Sequence, residues 1–310
     1  MGVQRRTEPF PVSVELLRGP TQGKAYDLSS GWWHHMPMWD GHAQLQVLTY
    51  RTPRGATNQG DLPMMQDNAV NYGFISDLVM GSTHAGTHID AMAHVTVGPE
   101  NRWHGGGSAD TDLGDFGPLS GDASELAPLL ARGVLLDIPS AQGVEYLPAH
   151  TPVGPRELEA ARAAQGIEIE PGSVILVRTG MMRFWPDVEE MSRAEEAGVS
   201  LEGAEWLLER APRAVGGDTE SFEVCPSGVP GDPEPVHRRL IQEAGIPIIE
   251  WVYLEELARD QVFEFLFICI PLPIRGATPP RSISQKSARL RRRSKRWRAK
   301  LHSATVPAAW

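Results

Sequence analysis

Residues 84–94 read His-Ala-Gly-Thr-His-Ile-Asp-Ala-Met-Ala-His, so four metal-binding or proton-carrying side chains, His84, His88, Asp90 and His94, fall within eleven residues. The whole chain contains ten histidines, which makes this segment strongly enriched. Imidazole and carboxylate groups together suit zinc, manganese or iron, and a set without cysteine is more typical of a catalytic than of a structural site. The segment therefore predicts a catalytic metal centre.

The spacing of these four residues predicts a bend in the chain. In a continuous helix Asp90 would lie roughly 200° around the axis from His88, at about 100° per residue. In a continuous strand His84 and His94 would stand about 33 Å apart. Gly86 has the conformational freedom for a sharp turn, and residues 90–94 then fit the first turn of a helix with Asp90 and His94 on one face. We expect strand, tight turn and helix start, with the ligands at the turn.

The segment resembles the signature of the metal-dependent cyclase family of hydrolases, which includes bacterial kynurenine formamidase (arylformamidase) and isatin hydrolase. The family pattern is His-x-Gly-Thr-His-x-Asp-x-Pro-x-His, and this chain departs from it only at Met92, where the family usually has proline. Further segments in the family's order are similar to its N-terminal strand, a core strand, a turn after it and a later ligand segment: residues 26–39, 174–180, 217–221 and 237–257. The resemblance covers about residues 25–278.

The resemblance implies a set of metal ligands. His84, His88 and Asp90 would hold a first ion, and Asp90 would bridge to a second ion held by His237 and Glu250, with Glu250 also reaching the first. Family members use zinc or manganese, so one or two such ions per chain are expected. From the residues alone, His237 could instead be a surface residue of an amphipathic helix. Glu250 ends an apolar run, where a carboxylate needs a cation or hydrogen-bond donors.

The resemblance also implies two roles outside the ligand set. His94 would be the catalytic acid/base, and Trp39 would line the substrate pocket. Four further histidines near the motif, His34, His35, His42 and His104, receive no assigned role.

Composition indicates an ordinary globular protein. The 310 residues are 41% hydrophobic and 22% charged. Two cysteines, Cys225 and Cys269, give no disulfide framework and favour a reducing cytoplasm. The N-terminus has no apolar segment typical of a signal peptide, and the most apolar stretch, residues 262–272, is too short to span a membrane.

The charge is unevenly distributed along the chain. Residues 281–310 contain seven Arg, three Lys and no acidic residue, whereas the rest of the chain has 19 basic against 39 acidic residues. The acidic body disfavours nucleic-acid binding. The basic tail could be a nucleic-acid or membrane patch, but it replaces the closing strand that the resemblance would imply, and we expect it to be disordered and not to bind nucleic acid. The predicted organisation is a hydrolase domain at 1–279 and an atypical tail at 280–310.

Alternation of strand and helix patterns predicts an α/β fold. Strands are predicted at residues 12–16, 43–50, 74–81, 133–138, 174–178, 214–217, 246–250 and 263–270, and helices at 123–131, 154–165, 187–197, 201–211, 234–244 and 253–259. The resemblance implies a single swivelling β/β/α domain with a mixed sheet, assembled as a homodimer or homotetramer.

The predicted activity is hydrolysis of a C–N amide bond by metal-activated water, with His94 passing a proton to the leaving nitrogen. Nearby tryptophans favour an aromatic or planar small molecule, either an aryl formamide or a cyclic amide or imide such as an isatin-like ring. Three alternatives stay open: an arylformamidase acting on N-formylkynurenine, a non-heme iron oxygenase, and a metal-binding protein whose catalysis is impaired by the altered C-terminus.

Overall fold

The computed structural model describes residues 23–66, 68–279 and 286–287. Its centre is a mixed eight-stranded sheet. The strands of this sheet are β1 (Tyr26–Asp27), β4 (His88–Ile89), β7 (Leu129–Asp137), β9 (Val174–Arg178), β11 (Ala214–Gly217), β12 (Ile248–Glu250), β13 (Glu264–Cys269) and β14 (Lys286–Ser287). Their order across the sheet is β1-β14-β13-β7-β9-β11-β12-β4. The four central strands β7, β9, β11 and β12 are parallel, and the strands added on either side are antiparallel. The predicted α/β class with a mixed sheet is therefore confirmed.

The central strands are apolar on both faces because both faces are covered. Every residue of β9 is buried. Alternate residues of β9 face opposite sides of the sheet and enter different hydrophobic clusters. Ile175 and Val177 belong to one cluster with the helical residue Leu158, whereas Val174 and Leu176 belong to a second cluster with the helical residue Leu257. Such continuous apolar strands are typical of a parallel sheet buried between two layers.

The helices surround this sheet. They are α1 (Pro53–Gln59), α2 (Ala109–Asp112), α3 (Ile138–Gln142), α4 (Pro155–Gln165), α5 (Val188–Met191), α6 (Leu201–Leu208), α7 (Pro235–His237, continuing as a π-helix over Arg238–Glu243) and α8 (Glu255–Arg259). The longest of these, α4, begins with proline in its first turn and is followed by Gly166, whose φ of 61° supplies a left-handed C-cap. None of the described helices is both long and apolar enough to cross a membrane.

Three small ribbons lie outside the main sheet. They pair β2 (Gln46–Arg51) with β3 (Ser76–Met80), β5 (Leu113–Gly114) with β6 (Gly117–Pro118), and β8 (Pro152–Val153) with β10 (Gly198–Val199).

Most predicted elements are confirmed, and β9 and β11 have the predicted bounds. The helix predicted at 123–131 is wrong: a short 3-10 turn at Ala123–Glu125 is followed by strand β7 from Leu129. Pro128 explains the difference, because proline lacks an amide donor and disfavours helical geometry in the residue before it.

The helix start predicted at 90–94 is also replaced by a shorter structure. The Asp90 amide donates to the carbonyl of Ile248 at 2.8 Å, and Ala91 is extended with φ −86° and ψ 164°, so only Met92–His94 forms a single 3-10 turn. The bond to Ile248 keeps the chain against the sheet edge as far as Asp90, and the turn begins two residues later.

The two chain ends are described only in part. The strand predicted at 12–16 and most of the basic tail lie outside the described residues. Within the tail, Lys286 and Ser287 form β14, which pairs with β1 and β13 at the position where a closing strand was expected to be missing. The division into 1–279 and 280–310 stays a prediction.

Candidate functional site

The motif 84–94 runs along one edge of the main sheet. Strand β4 pairs antiparallel with β12, so that His88 is directly opposite Glu250. Gly86 makes the bend before β4 with a φ of 57°, and a Cβ there would lie 2.6 Å from Ser30 Oγ. The Thr87 hydroxyl donates to the carbonyl of Trp251 at 2.6 Å and fixes the bend to the end of β12. The predicted turn with ligands around it is therefore present, and glycine is required there.

Three side chains converge at this edge. His84 Nδ1 lies 3.1 Å from His88 Nε2 and 3.4 Å from Asp90 Oδ1, and His88 Nε2 lies 3.5 Å from the same oxygen. Donors held about 2.0–2.1 Å from a tetrahedral ion stand about 3.3 Å apart. The three donor atoms are thus spaced as they would be around one cation.

A second group of donors adjoins the first. His237 Nε2 lies 3.1 Å from Glu250 Oε1 and 3.8 Å from Asp90 Oδ2. The other oxygen of Glu250 lies 3.2 Å from His88 Nε2. Asp90 and Glu250 therefore each present one oxygen toward the first group and one toward His237. The structure brings together all five residues that were predicted as ligands, and His237 is buried in the site rather than on the surface of its helix.

His94 occupies a position between the two groups. Its ring centroid is 4.3 Å from that of His84 and 6.2 Å from that of His237. Its ligand atom also lies within 4.8 Å of donor atoms of Asp90 and His237. The geometry is compatible with His94 as an acid/base beside the metal-binding group and with His94 as a ligand of a second ion.

Asp90 provides the test of whether these residues suit a metal ion. Its side chain is 0% exposed, and neither carboxylate oxygen accepts a hydrogen bond from any residue that the structure describes. A buried carboxylate without donors is costly. The surrounding imidazole and carboxylate donors suit a divalent cation of the zinc or manganese type, which would satisfy both oxygens. The residues therefore fit a metal ion.

The pKa values of the two carboxyl groups diverge. Burial and the nearby charge of Glu250 raise the pKa of Asp90 to about 7. Burial would also raise the pKa of Glu250, but its hydrogen bonds to His237 and His88 hold it well below its usual range. The pair therefore keeps one strong and one weak acid, which is a common feature of functional sites.

The histidines also differ from one another. Burial, followed by the charge of His237, lowers the pKa of His94 to about 4, and burial lowers that of His84 well below its usual range. Burial opposes the charging of His88, but its hydrogen bond to Glu250 and the charge of Asp90 raise its pKa to about 9. His94 is therefore neutral near pH 7 and able to accept a proton.

A row of three rings in contact, those of Trp39, His42 and His84, connects the protein surface to this centre. Trp39 is 56% exposed, and its ring meets that of His42 edge-on at 5.1 Å. His42 in turn stacks on His84 at 4.7 Å with nearly parallel planes. Trp39, predicted to line the pocket, thus lies one ring beyond His42 from the metal-binding group.

Sequence reasoning missed several residues that contact the centre. Glu223 holds His237, accepting from its Nδ1 at 2.5 Å and from its backbone amide at 2.9 Å. Thr278 lies 3.3 Å from His84 Nε2. His42 was noticed but given no role, and only its nearness to the motif could have indicated one. Glu223 and Thr278 carry no such signal.

Comparison with known proteins gives a family and a set of related folds. The family model described as "Putative cyclase" matches residues 26–224. A structure titled as a novel cyclase is similar to this chain with a TM-score of 0.75 and 23% identity, covering 89% of this chain and 92% of the other. No curated protein sequence matches.

Two further solved structures share the fold. Isatin hydrolase A from Ralstonia solanacearum gives a TM-score of 0.63 at 17% identity, covering 92% of this chain and 100% of the other. A predicted metal-dependent hydrolase from Bacillus stearothermophilus gives 0.52 at 18% identity, covering 85% of this chain and 97% of the other.

Proposed function

The chain belongs to the cyclase family, and on this premise we propose that it is a metal-dependent hydrolase that cleaves the C–N bond of an aryl formamide or of a cyclic amide or imide such as an isatin-like ring. The observation that carries the proposal is the buried Asp90 carboxylate, which has no described hydrogen-bond donor and lies among imidazole nitrogens at 3.4–3.8 Å. A divalent cation among these donors would satisfy both oxygens and offset the cost of burying the charge.

The proposed metal ligands form two sets that share Asp90. His84, His88 and Asp90 would hold one ion, and Asp90, His237 and Glu250 a second, with zinc or manganese as the expected metal. A divalent cation supplies, when bound, an acidified water and a Lewis acid for a carbonyl oxygen. Histidines that bind with one nitrogen need the other to be held, and both His88 and His237 meet this condition. His88 Nδ1 donates to the carbonyl of Gly86 at 2.8 Å, and His237 Nδ1 to Glu223.

His94 is the proposed proton carrier. The ring is neutral at physiological pH, since its pKa is lowered to about 4, and a proton that it takes from water would be passed on readily to the leaving nitrogen. A basic leaving nitrogen departs readily only when it is protonated, so this transfer is the step that an amide requires from the protein. The position of His94, against His84 and facing His237, places it beside the proposed metal ligands.

The exposed indole of Trp39, in contact with His42, supports a planar substrate. A flat amide ring can lie against the exposed indole, while its carbonyl points toward the buried donors. The similarity to isatin hydrolases favours the cyclic aryl amide within the proposed class. The homo-oligomer and the cytoplasmic location stay predictions.

Elemental analysis combined with a substrate screen tests the proposal. The purified protein is assayed for bound metal and for hydrolysis of formanilides, N-formylkynurenine, isatins, lactams and cyclic imides, before and after chelation. We expect one or two equivalents of zinc or manganese, turnover of at least one amide class, loss on chelation and recovery with added metal. Bound metal with no turnover of any amide would favour a non-catalytic metal-binding protein. Oxygen consumption with bound iron would favour an oxygenase, and either outcome would overturn the hydrolase.

A further inference from the structure

The segment 276–278 passes directly beside the motif. The amide of Gly276 donates to Asp122 Oδ2 at 2.6 Å, and the carbonyl of Ala277 accepts from the amide of Ala123 at 2.8 Å. The carbonyl of Thr278 accepts from the amide of Ala91, the residue after Asp90, at 2.7 Å. Three consecutive residues are thus each fixed by a hydrogen bond, and the last of these bonds joins the segment to the motif itself.

The side chain of Thr278 reaches the first of the motif histidines. Its hydroxyl oxygen lies 3.3 Å from His84 Nε2, while His84 Nδ1 faces His88 and Asp90 on the opposite side of the ring. A neutral imidazole carries a hydrogen on only one of its two ring nitrogens. If Nε2 carries it and donates to the hydroxyl, the lone pair of Nδ1 is left for a ligand beside Asp90.

The two other histidines of the centre show the same arrangement. His88 has its outward nitrogen on a backbone carbonyl, and His237 has its outward nitrogen on the Glu223 carboxylate. His84 has a hydroxyl in this place, supplied by a segment distant in sequence. Such contacts set both the tautomer and the orientation of a metal-binding imidazole.

From this arrangement we propose that Thr278 is a positioning residue, whose hydroxyl holds His84 with Nδ1 turned toward Asp90 and thereby raises the affinity of the first metal site. The inference rests on the metal site of the proposed function. The backbone bond between Thr278 and Ala91 strengthens it, because the same residue that holds the imidazole also fixes the chain next to the Asp90 carboxylate. Segment 276–278 is therefore part of the metal centre, although the sequence motif ends at residue 94.

Two substitutions in the full-length protein separate the hydroxyl from the shape of the side chain. Thr278→Val keeps the volume and the backbone contacts but cannot accept a hydrogen bond, whereas Thr278→Ser keeps the hydroxyl. Thr57→Val serves as the matched control, since Thr57 lies in α1 and its hydroxyl donates to the Pro53 carbonyl within that helix. Each protein is stripped of metal and titrated with Co²⁺, followed by the visible absorption of the bound ion, and with Zn²⁺ against a competing chelator.

Thr278→Val should weaken binding of the first ion by about 10–100-fold and change the Co²⁺ spectrum, as removal of a hydrogen-bond partner of a metal ligand typically does. Thr278→Ser should stay within about threefold of the unmodified protein, in keeping with a retained hydroxyl. Thr57→Val should bind as the unmodified protein does. The melting temperatures in chelator should be the same for all four proteins, because the proposed role of the Thr278 hydroxyl affects metal binding and not the stability of the metal-free fold.

The inference is overturned if Thr278→Val binds Co²⁺ as tightly as the unmodified protein, or if Val and Ser weaken binding equally. It is also overturned if Thr278→Val melts earlier in chelator without any change in affinity, which would indicate a purely structural role. Failure of the proposed function looks different. An unmodified protein that takes up no Co²⁺ removes the metal site and this inference together. Metal uptake without amide hydrolysis removes the hydrolase and leaves the inference intact.

Discussion

His88 and Glu250 are register partners across the antiparallel pair β4–β12, and their side chains meet with 3.2 Å between Nε2 and Oε2. The sheet therefore places a histidine of the motif beside a carboxylate from a distant part of the chain. Because residues opposite each other in a ladder point to the same face, the pairing alone is enough to join the two proposed sets of ligands.

Asp90→Asn should remove most of the bound metal, because a neutral amide cannot balance the charge of a cation between His84 and His237. In the unmodified protein, a ligand at 1,000 times its dissociation constant stabilises the fold by about 4 kcal/mol. Chelation should accordingly lower the melting temperature of the unmodified protein and leave that of the variant unchanged. Elemental analysis and melting with and without chelator measure both effects. A variant with full metal content would show that Asp90 is not a ligand.

His94→Gln should lower amide hydrolysis by about 10²–10⁴-fold with unchanged metal content, since a proton carrier contributes on this scale. The same protein preparations serve for kinetics and for elemental analysis. Loss of metal together with activity would instead assign His94 as a ligand, a role that its grouping with Asp90 and His237 also permits.

His237→Ala should remove the second ion, and Glu223→Gln should weaken its binding by about 10–100-fold. Glu223 accepts hydrogen bonds from the amides of Val236 and His237 as well as from the His237 ring. In the glutamine variant, the side-chain NH₂ group would face at least one of these N–H donors and could not accept its hydrogen bond. Metal equivalents per chain, measured over a range of free zinc concentrations, give the number of ions bound by His237→Ala and the zinc affinity of Glu223→Gln. Glu243→Gln, on the exposed side of the same helix, should bind as the unmodified protein does. Equal metal content in His237→Ala would exclude His237 from the ligand set.

The sequence predicted the part of the centre that is contiguous in the chain, because closely spaced histidines and an aspartate are visible without a structure. It also predicted β9 and β11, whose apolar runs reflect burial on both faces. The family resemblance added His237 and Glu250, which spacing alone could not connect to the motif.

The residues that the sequence did not indicate act through contacts between distant segments. Glu223 reaches His237 because α7 begins at Pro235 and directs its free amides toward the carboxylate. Thr278 reaches His84 through a turn held by Asp122. The helix expected from Asp90 onward is also shortened by contacts with distant segments, since the amides of Asp90 and Ala91 donate to Ile248 and Thr278 and Ala91 stays extended.

Glu220 gives a prediction about stability and pH. Its Oε1 atom is buried and accepts no hydrogen bond from the described residues. Burial, followed by the charges of Glu250 and Glu195, raises its pKa to about 7. In an unfolded chain the value is about 4.3. Between these two pH values the folded protein binds more protons than the unfolded chain, so stability falls as the pH rises through this window.

Glu220→Gln removes this ionisation and keeps the shape of the side chain. In chelator, so that no bound ion alters the charge of Glu250, the variant and the unmodified protein should melt at similar temperatures near pH 5. Near pH 8, where the unmodified protein must hold a buried carboxylate without a donor, the variant should melt several degrees higher. Glu168→Gln, at an exposed position, should show no such divergence. A constant difference across pH 5–8 would mean that Glu220 ionises alike in the folded and unfolded chains, and that its buried oxygen finds a donor in solution.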